Sequence, residues 1–372
     1  MQPACRLPAS THLRLISLAL LAPVFAFPGL TVAQDAPAVS SLLAFSASET
    51  SSGVILGPDG RLYGTALSGV SASSGLIFAT TTAGVIEVET VYQMDAVDDG
   101  GRPESGLLLA SDGLLYGTTI FGPGQFDTSG TVFRVRPDGS DYTVLFEFAE
   151  PDLVDALGNV FNSNGAYPSA ALIEGSDGNL YGVTRTGGEF GAGTVFRIAR
   201  NGSGFQTLHV FAEATQDELT QVITNEDGVS PQAALLEGVD GYFYGTTFTG
   251  GPNGTGTIFR LRFDGAGFEV IHHFSDTEPT DVALPANEEG AAPLAPLIDG
   301  GDGFLYGTAS QGGGTGNGTV FAVAPDGSVI TALHEFDFAD GSRPATGLTL
   351  GRDGKLYGTT FSGGTLDETT LN

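Results

Sequence analysis

The sequence predicts an all-β protein, a β-propeller of six four-stranded blades with an amino-terminal strand completing the last. Three observations carry this. A Tyr-Gly pair recurs six times, at Tyr63, Tyr116, Tyr181, Tyr244, Tyr306 and Tyr357. An Asp-Gly pair precedes each of them. Helical periodicity is nearly absent, while strand and turn signals alternate regularly.

The unit can be read element by element. Thirteen residues before five of the tyrosines stands a proline: Pro103, Pro168, Pro231, Pro293 and Pro344. In the third unit the first strand is expected at 170–174. Asp177-Gly178 then reads as a tight primed hairpin turn, since glycine supplies positive φ at little cost. The second strand follows at 180–184, with the glycine after its tyrosine expected to allow close approach of a neighbouring blade. A Gly-rich loop leads to a third strand at 193–198. Its Phe196 has counterparts at Phe78, Phe133, Phe259 and Phe321. A second hairpin at Asn201-Gly202 leads to a fourth strand at 206–211. One such sheet cannot bury both of its faces, so the units must stack around an axis.

The ends fit closure. Leu42-Leu43-Ala44-Phe45 reads as a fourth strand without a blade of its own. After Tyr357 only a first, a second and a degraded third strand remain. A chain stopped early is the rival account.

Residues 1–33 read as a signal peptide: a weakly basic start, an apolar run from Leu15 to Leu30, and small residues before Gln34. Residues 34–372 are then a single repeat domain, exported to a periplasmic, cell-surface or extracellular location. No later segment is apolar enough to span a bilayer. Cleavage would remove Cys5, the only cysteine, and leave a chain without disulfides. The net charge is −29, and residues 1–33 hold two arginines and no acid, so the mature chain is more negative still. Nucleic acid is therefore excluded as a partner, and cations or basic groups are favoured.

The combined pattern Gly-x-x-Pro, Leu, Asp-Gly-x-Leu-Tyr-Gly-Thr-Thr, Gly-Gly, Gly-Thr-Val-Phe resembles the GloVer tandem-repeat family of secreted bacterial proteins. The resemblance covers essentially Leu42 to the end. It implies a propeller-like repeat fold and export, and no catalytic residues.

Function is expected on loops. Both hairpin turns of each unit should lie on one face, and the Gly-rich loops and blade-to-blade crossovers on the other. Three consecutive crossovers are long: 149–167, 212–230 and 275–292. They hold thirteen carboxylates and no Lys or Arg. Asp152, Asp155, Asp227, Glu288 and Glu289 are the candidate metal ligands, with calcium the expected ion because it favours hard oxygen donors. Solvated loop acids are the plainer reading. A second set stands four residues before each proline: Asp99, Asn164, Asp227, Glu289 and Asp340. These are either a ring of binding oxygens or simple turn formers. Arg102 and Arg343, one before their prolines, either hold a carboxylate or pair with those acids. His209, His272 and His334 share one fourth-strand position; being a blade apart, they read as repeat consensus rather than a shared metal site.

The Gly-rich strings lack the Lys-Ser/Thr ending of a phosphate loop. The functional expectation is a non-enzymatic exported repeat protein that presents a loop-lined face to a surface polymer, a glycan or a protein. The alternatives are a carbohydrate-active hydrolase or lyase using crossover acids, and a structural surface-layer component.

Overall fold

The computed structural model describes residues 53–67, 74–81, 88–124, 129–154, 160–277 and 286–364. The expected leader and the expected closing strand at 42–45 lie outside them. The described residues form strands, turns and loops, with no helix.

Five four-stranded antiparallel sheets follow one another in the chain, each with its strands in sequential order. Blade one covers 55–93, blade two 108–147, blade three 173–210, blade four 236–273 and blade five 298–335. A further two-stranded hairpin, Thr349–Leu350 and Leu356–Tyr357, follows as the described part of the sixth unit. In blade three the strands are Ile173–Glu174, Asn179–Thr184, Thr194–Ala199 and Gln206–Val210. This succession of blades is a β-propeller. The first strand is shorter than expected, two residues in every blade. In each of the five complete blades a bulge shifts the register between strands three and four, as at Val195/Phe196. Bulges bend a strand and increase its twist.

Side-chain alternation explains how blades stack. Along strands two and three, Tyr181, Val183 and Val195 of blade three point to blade four. Leu180, Phe196 and Ile198 point back to blade two, where they meet Tyr116 and Val132. The same division recurs at the other described junctions, so each core belongs to a pair of blades. The buried tyrosine and phenylalanine of each unit thus lie on opposite faces of one sheet.

The glycine after each tyrosine serves its own blade, contrary to the expectation of an inter-blade role. A Cβ on Gly182 would lie 2.6 Å from the Phe196 ring of the paired strand. Close approach between blades falls at other glycines. A Cβ on Gly193 would lie 2.7 Å from Pro231 Cδ of the next blade. Gly75, Gly130, Gly256 and Gly318 meet Pro103, Pro168, Pro293 and Pro344 in the same way.

Before each of these prolines stands a non-glycine residue in the left-handed region: Arg102, Tyr167, Ser230, Ala292 and Arg343, with φ between 55° and 64°. That conformation is costly, and steric contact with proline also disfavours the α region at this position. Both backbone groups are used in return. Ser230 donates its N–H to Ala192 O of blade three, and its carbonyl accepts from Phe248 N of blade four. The other four residues repeat this bridge.

The Asp-Gly turns are three-residue loops, not the expected two-residue primed turns. In the first, Gly60 N–H donates to Gly57 O and Gly57 N–H donates to Arg61 O, with only Gly60 at positive φ. This is a type I turn followed by a left-handed glycine. The aspartate holds it together: Asp59 accepts the Arg61 N–H at 3.1 Å and the Tyr63 hydroxyl at 2.8 Å. The aspartate–tyrosine bond recurs in all six units. Burial pushes the Asp59 carboxyl up, but hydrogen bonds from Arg61 and Tyr63 outweigh it and set it at about 2. Burial, then the Asp59 bond, pushes the Tyr63 phenol up to about 12, so it remains a donor. Tyr63 also donates to Pro137 O in the next blade's second hairpin, which places both hairpins of the unit on one face, as expected.

Two glycine substitutions separate contact from conformation. Gly178 has φ +78° and no atom closer than 3.9 Å to a built Cβ, so Gly178→Ala should cost about 1–2 kcal/mol, from backbone strain alone. Gly193→Ala adds overlap with Thr184 O and Pro231, and should cost at least about 3 kcal/mol. Urea titration of both variants checks the order.

The crossover face as candidate functional site

The long crossovers have structure of their own, which the sequence reading did not anticipate. The first carries a hairpin of Leu153–Val154 and Val160–Phe161, the second a hairpin of Thr215–Gln216 and Ile223–Thr224. In the third, residues 278–285 lie outside the described residues.

One asparagine anchors each of the three. Asn225 Nδ2 donates to Ala212 O at 3.0 Å and to Gly228 O at 2.8 Å, the two ends of the crossover. Its Oδ1 accepts from Gly228 N and from Gly251 N, in the loop between strands two and three. Asn162 and Asn287 make the same set with the equivalent residues. The crossovers and the Gly-rich loops therefore share one face. The sequence carries this anchor as Asn-x-Asn-Gly, Asn-x-Asp-Gly and Asn-x-Glu-Gly, two residues before the acid or amide that precedes each proline by four.

That next residue is the one four before each proline. Its first partner is always a backbone N–H just past strand four: Asp95 for Asp99, Ala149 for Asn164, Ala212 for Asp227, Ser275 for Glu289 and Asp337 for Asp340. The second partner follows the fourth-strand residue. Asp99 accepts the Tyr92 hydroxyl at 2.8 Å. Asp227 bonds His209 Nε2 at 2.8 Å. His272 and His334 bring Nε2 to 3.2 and 2.8 Å from Glu289 and Asp340. In blade two the strand residue is Phe146, which has no polar hydrogen to donate, and there the acid is replaced by the neutral Asn164. These residues sit at the fourth-strand edge of their blades and close the entry to each crossover.

Burial pushes the Glu289 carboxyl up, but the nearby His272 ring and the hydrogen bonds from Ser275 outweigh it, leaving the group below its ordinary range. The ring at the same strand position also stacks on the following blade. Tyr92 lies on Tyr142 at 4.2 Å, Phe146 on Phe205 at 3.8 Å and His209 on Phe268 at 3.4 Å.

The other candidates are placed as follows. Arg102 pairs with Glu104 at 2.9 Å and lies over the Phe121 ring, rather than pairing with Asp99. Arg343 lies over Phe361. The Asp152 N–H donates to Phe161 O in the first crossover hairpin. Asp155 lies outside the described residues. Glu288 adjoins Glu289 between the anchor Asn287 and Gly290. Among the described residues no three His, Cys, Asp or Glu side chains converge as a metal site would require. The crossover hairpins instead expose apolar groups: Leu153, Val154 and, 93% exposed at its turn, Leu219. No helix among the described residues is long and apolar enough to cross a membrane.

Comparison with known proteins agrees with the repeat. The Gloeobacter/Verrucomicrobia repeat matches residues 30–222 and 214–371, and the chain belongs to that family. No curated protein matches it by sequence. Among solved structures it resembles a periplasmic gluconolactonase of Pseudomonas aeruginosa, at 16% identity and a TM-score of 0.51 over 86% of this chain and 80% of that one. It also resembles a putative oxidoreductase (glucose dehydrogenase) of Thermus thermophilus, at 16% identity and a TM-score of 0.46 over 84% and 91%. At these identities the likeness is one of fold.

Two measurements test the crossover geometry. Asn225→Ala leaves two carbonyls and two N–H groups without their partner. It should cost about 2–3 kcal/mol and speed hydrogen exchange across 212–230 more than in the strands. For Glu289, a depressed carboxyl gives stability that is present above its unfolded value of about 4.3 and is lost as pH falls through the lower folded value. Glu289→Gln should therefore unfold with a shallower acid limb than the parent, in melts recorded from pH 6 down.

Proposed function

We propose that this member of the Gloeobacter/Verrucomicrobia repeat family is an exported, non-enzymatic propeller whose crossover face binds a surface polymer, a glycan or another protein. One observation carries the reading. The residues four before the prolines, Asn164 and Asp227 among them, are engaged in holding the crossovers, while the two crossover hairpins project apolar side chains outward. Rigid scaffolds that carry variable loops are where binding residues concentrate. Exposed apolar groups on anchored loops are a feature of contact surfaces.

The alternative is a carbohydrate-active hydrolase or lyase. Its support is the likeness in fold to the gluconolactonase. Such chemistry uses two carboxylates flanking the scissile bond. It would have to draw on crossover acids such as Asp152 and Glu288, since Asp227 and Glu289 are held by backbone N–H groups and histidines. Export rests on the character of residues 1–33, with an expected mature start at Gln34.

The test is a glycan and protein array probed with the mature chain and with a variant in which 213–224 is replaced by a short Gly-containing turn. Saturable binding that the shortened variant loses, with the bound glycan recovered intact, is the expected result. Release of a cleaved product from the captured glycan would overturn the non-enzymatic reading.

A further inference from the structure

The blade repeats allow one junction to be compared with another, and on the hairpin face they differ in a way that points to a ligand. Between blades two and three, Arg200 from the second hairpin of blade three enters the junction. Its Nη1 lies 3.2 Å from Glu174 Oε1, 3.8 Å from Asp112 Oδ2 and 2.9 Å from Ser111 Oγ. The two carboxylates come from different blades: Asp112 from the first turn of blade two, Glu174 from the first strand of blade three. The junction is thus a small anionic seat filled by the chain's own guanidinium.

Between blades four and five the corresponding residues are Asp240, Asp299 and, in place of the arginine, Pro325. Both carboxylates are kept and the cation is gone. A cleft of about 350 Å³ opens there, lined by Val239, Asp240, Tyr244, Asp299, Leu305 and Pro325 among others. The carboxylates are held in place. Asp240 accepts the Tyr244 hydroxyl at 2.6 Å and the Tyr242 N–H at 3.2 Å. Asp299 accepts the Gly301 N–H through Oδ1 at 2.8 Å. The nearby Arg260 is engaged by Glu269 at 2.7 Å and by Pro325 O at 2.9 Å. The other junctions lack this combination. Between blades one and two the position of the second acid is Leu109, and between blades three and four the position of Arg200 is Phe263, whose ring packs on Tyr181 and Phe243.

We propose that the cleft between blades four and five binds a guanidinium or primary ammonium group, such as an arginine or lysine side chain presented by a peptide. The filled junction shows a guanidinium seated between the acids at the corresponding positions, Asp112 and Glu174. The apolar surfaces of Leu305 and Pro325 suit the methylene stem behind such a head group. The fixed oxygens favour the planar donor of arginine over the point charge of lysine. This site lies on the face opposite the crossovers and is independent of the binding function proposed for them.

Calorimetric titration of the mature chain with Gly-Gly-Arg amide, at physiological salt, tests the site. The lysine peptide and the neutral isostere with citrulline are the comparison ligands. The arginine peptide should bind with one-to-one stoichiometry, and the citrulline peptide about tenfold more weakly or worse. Asp299→Asn should weaken the arginine peptide by a similar factor. Pro325→Arg should fill the cleft as Arg200 fills its own, abolishing binding and raising the melting temperature. Arg200→Ala should open the second seat and move the stoichiometry from one towards two. Equal affinity for the citrulline peptide would overturn the proposal. So would affinity unchanged in both Asp299→Asn and Pro325→Arg, which would mean diffuse attraction to an acidic surface.

Discussion

The architecture depends on one joint, where the proline that opens a blade presses on the glycine that opens the third strand of the blade before it. Only glycine leaves room for the proline Cδ at that distance. Only a left-handed residue before the proline can offer its N–H to one blade and its carbonyl to the next. The Arg102, Tyr167, Ser230, Ala292 and Arg343 positions accept backbone strain because two hydrogen bonds and a packed ring depend on it. The Tyr and Phe faces then meet, and each core is closed between two sheets. A blade removed from its neighbours would have neither core.

The charge of the chain is easier to understand against this frame. Many of its carboxylates are acceptors for the scaffold. Six aspartates each hold a turn and a tyrosine, and four more acids close crossovers on a tyrosine or a histidine. A buried or half-buried acceptor must stay ionised to do this. The hydrogen bonds that hold Asp59 and Glu289 low are the physical reason they can. An abundance of acids in a repeat protein therefore says little about metal binding until the turns have claimed their share.

Much of this was legible in the sequence. Tyr-Gly spacing gave the blades, Asp-Gly gave the turns, and the separation of hairpins from crossovers followed from alternation. The misreadings have specific causes. The glycine of Tyr-Gly was assigned to a neighbouring blade because sequence cannot show that Phe196 lies directly across from Gly182 on the paired strand. The turn type was misread because the aspartate side chain stabilises a longer loop than the dipeptide suggests. The crossover hairpins have strands of two residues, below what periodicity can resolve. The asparagine anchors were visible as letters, yet their meaning requires knowing that residues 212, 228 and 251 meet at one point. The match between Tyr or His with an acid, and Phe146 with Asn164, could have been found by aligning the repeats with one another.

The asparagine anchor has a consequence for how such chains can diverge. It joins the first residue of a crossover to the glycine near its end, so the fourteen or fifteen residues between them hang from a closed base. Closing a longer span costs only about 0.6 kcal/mol for each doubling of its length. The intervening segment can be exchanged, lengthened or shortened while the blades beneath keep their geometry. A natural series of these proteins would then be expected to diversify by swapping cassettes between fixed posts, as antibody loops do on their sandwich.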